Sequence, residues 1–339
     1  MSSVANHQPP EFAKHWANEL GSSEKSLVQL QGGINNRVFR CGEAHNQWVI
    51  KGYSPLEPDQ RDRMQAEVDF LRYSAEVAPN FTPKLIHSDP ELRCVVLEYI
   101  EGRHFSEGVA PLPEEIEKAV TFFKRLNEKK ILSEKAIKID AADGFLSLSN
   151  QIKNIKSRLS CMNWDHLQHD HILPFKSLVK ELQIEIELTE QSTNYQIEIG
   201  NVVDSIDQQE RCVSPSDFGF HNAIITKNGV VFIDFEFAGW DDPAKAIVDF
   251  VLQPRIPIKC GVSPLLATIA PTKKKIVQQR CHFIMPILRL KWACIMIGGL
   301  QQDRLNLISK IYPEKKISSL ISHRLSETHE LVKSIKIHR

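Results

Sequence analysis

Three side chains able to bind a hard cation or take a proton crowd into one short stretch. The segment 214–242, SPSDFGFHNAIITKNGVVFIDFEFAGWDD, carries Asp217, Asn222 and Asp234 around an Asn228–Gly229 pair set between two apolar runs. Asn-Gly in that setting is the strongest short-range signal for a two-residue hairpin turn. Counting outward from such a turn predicts Lys227 opposite Val230, Ile225 opposite Phe232 and Ala223 opposite Asp234. Asn222 and Asp234 then reach the same open end of the hairpin, with Asp217 on the loop before it. A strict ladder would send Asn222 and Asp234 to opposite faces, so the pattern requires Asn222 to lie on the loop. One Asn and one Asp oxygen suit Mg²⁺, which keeps several waters and takes its other ligands from substrate phosphates. A separate carboxylate, Asp217, can orient an attacking hydroxyl and accept its proton. Each residue alone could be a turn or cap residue. The three together point to metal-assisted phosphoryl transfer.

The N-terminal third supplies matching parts. Gly32 and Gly33 stand between two strand-like runs in QLQGGINNRVFR, where small residues let backbone N–H groups approach phosphate oxygens. A plain turn is the other reading of that pair. Lys51 interrupts the apolar run WVIKGY, and strand alternation can point it into a cleft. Glu67 lies one helical turn from Met64 and Leu71, at the edge of a buried face, where it can pair with Lys51. The run RCVVLEYIEG reads as a strand leading into a hinge at 98–102, whose backbone groups could bind a flat purine edge.

These residues need two kinds of scaffold. From 26 to 100 the chain reads as short antiparallel strands, SLVQLQ, RVFRCG, QWVIKGY and RCVVLEYI, with one helix over 59–76 built on Met64, Val68, Leu71 and Ala75. Pro79 and Pro83 stop that helix. After Gly102 the pattern turns helical, beginning with a helix whose apolar face is Ile116, Ala119, Val120 and Phe123. Two or more helices follow over 146–210, then the β interruption around Asp234, then helices to the end. The fold class expected is α+β and bilobal: a β-rich lobe over 1–102, with 1–25 as an extension, and a helical lobe over 103–339.

Composition excludes several alternatives. The 339 residues balance 42 Lys and Arg against 42 Asp and Glu, so no bulk positive field draws nucleic acid or an anionic membrane. Cys41, Cys94, Cys161, Cys212, Cys260, Cys281 and Cys294 are odd in number and form no CxxC pair, which fits a reducing compartment. The start, MSSVANHQPPEFAKHW, lacks the pattern of a secretory signal, so a cytoplasmic location is expected. The apolar run 281–300, broken by His282, Arg289 and Lys291, reads as too polar to span a membrane and as a buried helix of the larger lobe. His166 and Asp170, four apart in WDHLQHDH, could share a metal, although a polar helix end explains them more simply. Nothing in the sequence demands an obligate protein partner.

Taken in order, GGINNRVF, VIK, AEVDFL, VVLEYIEG, SDFGFHN and FIDFEFAGWDDP resemble the aminoglycoside phosphotransferase and choline kinase group of small-molecule kinases, over roughly 26–255. The resemblance implies the bilobal protein-kinase-like fold and transfer of the γ-phosphoryl group of ATP to a hydroxyl of a small molecule, with Mg²⁺. It implies Asp217 as catalytic base, Asn222 and Asp234 as metal ligands, and Lys51, positioned by Glu67, on the nucleotide phosphates. Gly32, Gly33 and Asn36 would lie along the nucleotide, and Glu98 and Ile100 of the hinge would meet adenine through backbone. Glu236 would help organise the metal site, and Asp249 would brace the catalytic loop. Two positions depart from the group's pattern. Pro215 stands where a His usually precedes the catalytic Asp, and Ala246 where an Asp often follows the Asp-Pro step. A catalytically silent nucleotide-binding protein is the alternative these departures support. The retained Asp217, Asn222, Asp234 and Lys51 favour an enzyme, and the short Asp234–Pro243 interval speaks against protein substrates.

Overall fold

The computed structural model describes residues 8–30, 36–43, 46–54, 61–253, 255–309 and 313–337. The chain forms two compact units that are discontinuous in sequence. The first joins 1–142 to 213–240 and 253–256; the second joins 143–212 to 241–252 and 257–339.

The first unit contains Asn36, Lys51, Glu67, Glu98, Ile100, Asp217, Asn222 and Asp234. Helix α1 (Glu11–Glu19) precedes a five-stranded antiparallel sheet. Its strands are β1 (Val28–Gln29), β2 (Asn36–Glu43), β3 (Asn46–Tyr53), β4 (Leu85–Asp89) and β5 (Cys94–Glu98), in the order β1-β2-β3-β5-β4. The segment expected as an extension packs into the sheet's core: Ala17 is buried with Cys41 and Ile50, and the Trp16 indole donates to Asp89 at 3.0 Å. Strand β4 escaped the sequence reading because its LIHSD is short, polar and partly exposed.

Helix α2 (Arg63–Val77) starts later than the pattern suggested, because the Asp62 carboxylate caps it by accepting from Gln65 N–H at 3.1 Å. Residues 59–60 of the expected helix lie outside the described residues. Its buried face runs through Met64, Glu67, Val68, Leu71 and Ser74, and Ala75 is exposed. After β6 (Arg103–His104) come α3 (Pro113–Glu128) and α4 (Lys130–Ala136). The buried face of α3 is Ala119, Phe122, Phe123 and Leu126, with the expected Ile116 and Val120 only half-buried. Strand β7 (Cys212–Ser214) leads to the Asp217 loop, β8 (Ala223–Thr226) and β9 (Gly229–Phe232) form the hairpin, and β10 (Gly239–Asp241) leads away.

An aromatic cluster seats this hairpin. Phe235 stacks on Phe70 of α2 with centroids 4.5 Å apart, and Phe232 stacks on Phe122 of α3 at 5.2 Å. Phe218 meets Phe232 at 5.1 Å. Each ring buries a large apolar area and prefers such offset contacts, so the cluster fixes the segments on either side of it. Asp217 and Asp234 each sit directly before one of these buried rings.

The second unit is helical: α5 (Leu148–Ser160), α6 (His169–Glu198), α7 (Pro243–Val251), α8 (Ser263–Leu266), α9 (Pro271–Gly298), α10 (Gln302–Ser309) and α11 (Glu314–Ile337). Buried charges run through it in pairs. Lys245 meets Asp241 at 2.7 Å and Asp249 at 3.2 Å, Lys291 meets Asp249 at 2.8 Å, and Arg280 meets Asp242 at 2.5 Å. By length and composition alone α9 is long and apolar enough to cross a bilayer, a test that a buried core helix also passes. Half of its most apolar stretch is buried inside the protein, and its Arg280 and Lys291 are the paired cations just named.

Candidate active site

Lys51 sits in the middle of β3, opposite Val38 of β2 and Val95 of β5, and is 5% exposed. Its ammonium bonds Glu67 of α2 at 2.5 Å and Asp234 at 2.5 Å. Tyr53, two residues along the same strand face, donates its hydroxyl to Glu67 at 2.6 Å. Burial alone would lower the Lys51 pKa, but Asp234, Glu67 and Glu236 together hold it well above the ordinary lysine value. Lys51 is therefore a fixed positive charge. Burial, and then the Glu67 carboxylate, push the Tyr53 phenol up, so it stays a donor. The expected Lys51–Glu67 pair is present in the geometry. Tyr53 was missed, and its one sequence signal is its place two residues beyond Lys51.

The Asp217 loop is held by bonds within it and by one to Ala142. Ser216 adopts φ 67°, a left-handed conformation that non-glycine residues seldom take. Its N–H donates to Ser214 Oγ at 3.0 Å, and its hydroxyl to Ala142 C=O at 3.2 Å. Ala142 N–H in turn donates to Phe237 C=O at 2.9 Å, which ties the Asp217 loop to the chain just after Asp234. His221 Nε2 lies 3.0 Å from Asp217 Oδ1, and Asn222 Nδ2 donates to Asp217 Oδ2 at 3.1 Å.

The hairpin register differs from the one read from Asn-Gly. Thr226 pairs with Gly229, Ile225 with Val230 and Ala223 with Phe232, so the turn centres on Lys227 and Asn228. Thr226 Oγ1 causes the shift: it accepts from Asn228 N–H at 3.1 Å and donates to Gly229 C=O at 3.0 Å. Asn222 lies outside the ladder, in the 3₁₀ turn Phe220–Asn222, and its carbonyl accepts from Ile233 N–H at 2.9 Å. Asp234 follows with φ 69°, a second strained position that turns its carboxylate toward Lys51.

The donor set fits a hard cation. The Asn222 amide nitrogen is committed to Asp217, which leaves its oxygen as the ligand atom. The side chains of Asp234 and Asp217 remain 36% and 35% exposed, open enough to meet a ligand. Among the described residues no group of three or more His, Cys, Asp or Glu side chains forms a ready-made metal cage.

Other expected residues fare differently. Gly32 and Gly33 lie outside the described residues. Asn36, expected along the nucleotide, donates its amide to Glu236 at 2.8 Å. Glu236 is 2% exposed and also pairs with Arg63 at 3.1 Å. Burial pushes its carboxyl up, against the pull of Lys51. Arg63 was missed, since a basic residue at a helix start reads as solvent-facing. The Glu98 N–H is bonded to Lys84 C=O at 2.9 Å and its carboxylate accepts from Lys84 N–H at 3.2 Å, so Glu98 is engaged within the sheet. Ile100 lies in 99–102, a stretch outside any strand or helix. Asp249 is bound by Lys291, Lys245 and Trp292 of its own unit. His166 bonds Leu300 C=O at 2.7 Å and Asp170 is almost wholly exposed, so the WDHLQHDH segment is a helix start and not a metal centre.

No family model matches the sequence, and no curated protein is detectably similar to it. Solved structures are similar in fold. An aminoglycoside 2'-phosphotransferase-IIIa in complex with GDP aligns with TM-score 0.61 at 14% identity, covering 96% of both chains. An ethanolamine kinase of Plasmodium vivax aligns with TM-score 0.57 at 13% identity, over 98% of this chain and 94% of the other. A choline/ethanolamine kinase family protein of Mesorhizobium loti aligns with TM-score 0.53 at 16% identity, over 92% and 90%. The chain thus has the bilobal α+β fold of these small-molecule kinases.

Proposed function

We propose that this chain belongs to the choline kinase and aminoglycoside phosphotransferase group and moves the γ-phosphoryl group of ATP to a hydroxyl of a small metabolite. The observation that carries the reading is the chain Glu67–Lys51–Asp234, which joins a buried helix, a central strand and an exposed carboxylate through two 2.5 Å contacts. A structural ion pair has no need of an exposed end. A lysine that must reach phosphates beside a metal does.

Each residue then has a task. Mg²⁺ held by Asn222 and Asp234 would neutralise charge on the transferring phosphates. Lys51 stays charged and oriented by Glu67, ready for phosphate oxygens. Asp217, its two oxygens already fixed by His221 and Asn222, offers its remaining lone pairs to the acceptor hydroxyl and receives its proton. Such catalysis is mainly positioning and electrostatics, which rewards the strained, over-determined loops seen here. All seven cysteines are free, which supports work in the reducing cytoplasm. Sugars and amino alcohols are the acceptor classes to try first.

The test is Mg²⁺-dependent ATP consumption by purified protein against pooled sugars, amino alcohols, nucleosides and aminoglycosides. Turnover that needs one pool supports the reading; consumption by none, without stabilisation by MgATP, overturns it. Pro215 favours a second reading, nucleotide binding without transfer, and that reading predicts MgATP stabilisation with no turnover in any pool.

A further inference from the structure

Two ion pairs, one helical turn apart, join α2 to the short Asp234–Glu236 segment. The first is Glu67 to Asp234 through Lys51. The second is Arg63 Nη1 to Glu236 Oε2 at 3.1 Å, with both side chains 3% exposed. Phe235, between Asp234 and Glu236, stacks on Phe70 of the same helix, just beyond Glu67. Glu236 also accepts from Asn36 at the start of β2 at 2.8 Å, and Arg63 donates to Ser54 C=O at 2.8 Å, just past β3. Arg63 and Glu236 thus gather α2, the ends of β2 and β3, and the metal-side segment at one buried point.

From this geometry we propose that Arg63 and Glu236 form a positioning latch that holds α2, and with it Glu67, in register with Asp234. The proposal rests on the phosphotransferase reading for its consequence, nucleotide handling, but not for the latch itself. Glu67 can orient Lys51 only while α2 stays docked, and the Lys51 bridge to Asp234 is one polar link between that helix and the metal-side segment. The Arg63–Glu236 pair is a second, more rigid one, because a guanidinium presents several donors in a fixed plane. It engages one Glu236 oxygen, Oε2, with both Arg63 and Asn36, and both side chains of the ion pair are buried.

The test uses Arg63→Met, Glu236→Gln and the apolar pair Arg63→Met/Glu236→Leu, since removing both partners of a buried ion pair avoids stranding one charge. Hydrogen exchange is measured on the amides of 63–77 in the full chain, alongside MgATP affinity and, where an acceptor is known, KM for ATP and kcat. The latch predicts faster exchange over 63–77 in all three proteins. It also predicts nucleotide KM or Kd raised about 10- to 100-fold, as for a misplaced positioning group, and a pair no worse than either single change. High Mg²⁺ would restore none of them. Unchanged exchange over 63–77, additive effects, or rescue of Glu236→Gln alone by Mg²⁺ would overturn the latch. Faster exchange in the three variants, with a wild-type protein that neither binds nor turns over ATP, would uphold the latch and sink the kinase reading instead.

Discussion

Tyr53, Glu67, Lys51 and Asp234 form one hydrogen-bonded line, and each member constrains the next. Tyr53→Phe removes the donor from a buried carboxylate that Lys51 still satisfies. The change should cost about 1 kcal/mol of stability and raise the nucleotide KM a few-fold, with kcat little altered. Urea unfolding and initial-rate kinetics check it; an unchanged unfolding midpoint would show that Lys51 alone satisfies Glu67. The residues of this line that could be read from sequence were those whose type is unusual for their setting. A lysine inside an apolar strand and an aspartate after an apolar run announce themselves. Tyr53 and Arg63 did not, because a tyrosine in a strand and an arginine at a helix start are what any surface element could carry. The hairpin register failed for a related reason. A threonine hydroxyl two residues before Asn228 outweighed the Asn-Gly preference, and dipeptide statistics do not contain that competition.

Among the elements, the pattern of apolar residues located the strands and helices that carry the site and misjudged the edges. Helix α2 began where Asp62 could cap it, and α3 turned its phenylalanines inward at Phe122 and Phe123. The first correction is a local cap, three residues long; the second comes from packing against the aromatic cluster, which no local window contains. Gly102 shows the same dependence. A Cβ there would lie 2.3 Å from Ile225 C=O, where β6 meets β8, so only glycine lets the two backbones approach. Gly102→Ala should destabilise the first unit by about 1–3 kcal/mol, read as a lower midpoint in thermal or urea unfolding. A wild-type midpoint would mean that β6 can shift without consequence.

Over the whole molecule, buried charge is distributed through both units and gives stability a defined pH dependence. Lys51 and Lys245 are held above the ordinary lysine value, burial opposing and neighbouring carboxylates prevailing, while burial raises Tyr53. The folded chain therefore keeps protons that the unfolded chain releases above about pH 10, and stability falls as pH rises past that point. On the acid side, burial lifts Asp241 to about 6, so below that pH the folded state binds a proton the unfolded state still lacks. Asp249 behaves oppositely. Burial works against its charge, but Lys291 and Lys245 prevail and lower its pKa, so its contribution is lost only below about pH 4. Unfolding midpoints should hold or rise from pH 7 to 5, then fall below about pH 4 and again above about pH 10. Asp241→Asn should remove the gain between pH 7 and 5, and an unaltered profile in that variant would contradict the assignment.

Asp217 is the group proposed to receive the acceptor's proton, and one comparison reaches it directly. Wild-type and Asp217→Asn proteins are assayed for acceptor-dependent ATP consumption at saturating Mg²⁺ and ATP, with MgATP stabilisation measured on the same samples. The geometry predicts that the asparagine variant binds nucleotide as the wild type does and loses about 10²- to 10⁴-fold in turnover. Equal turnover in the two proteins would contradict it.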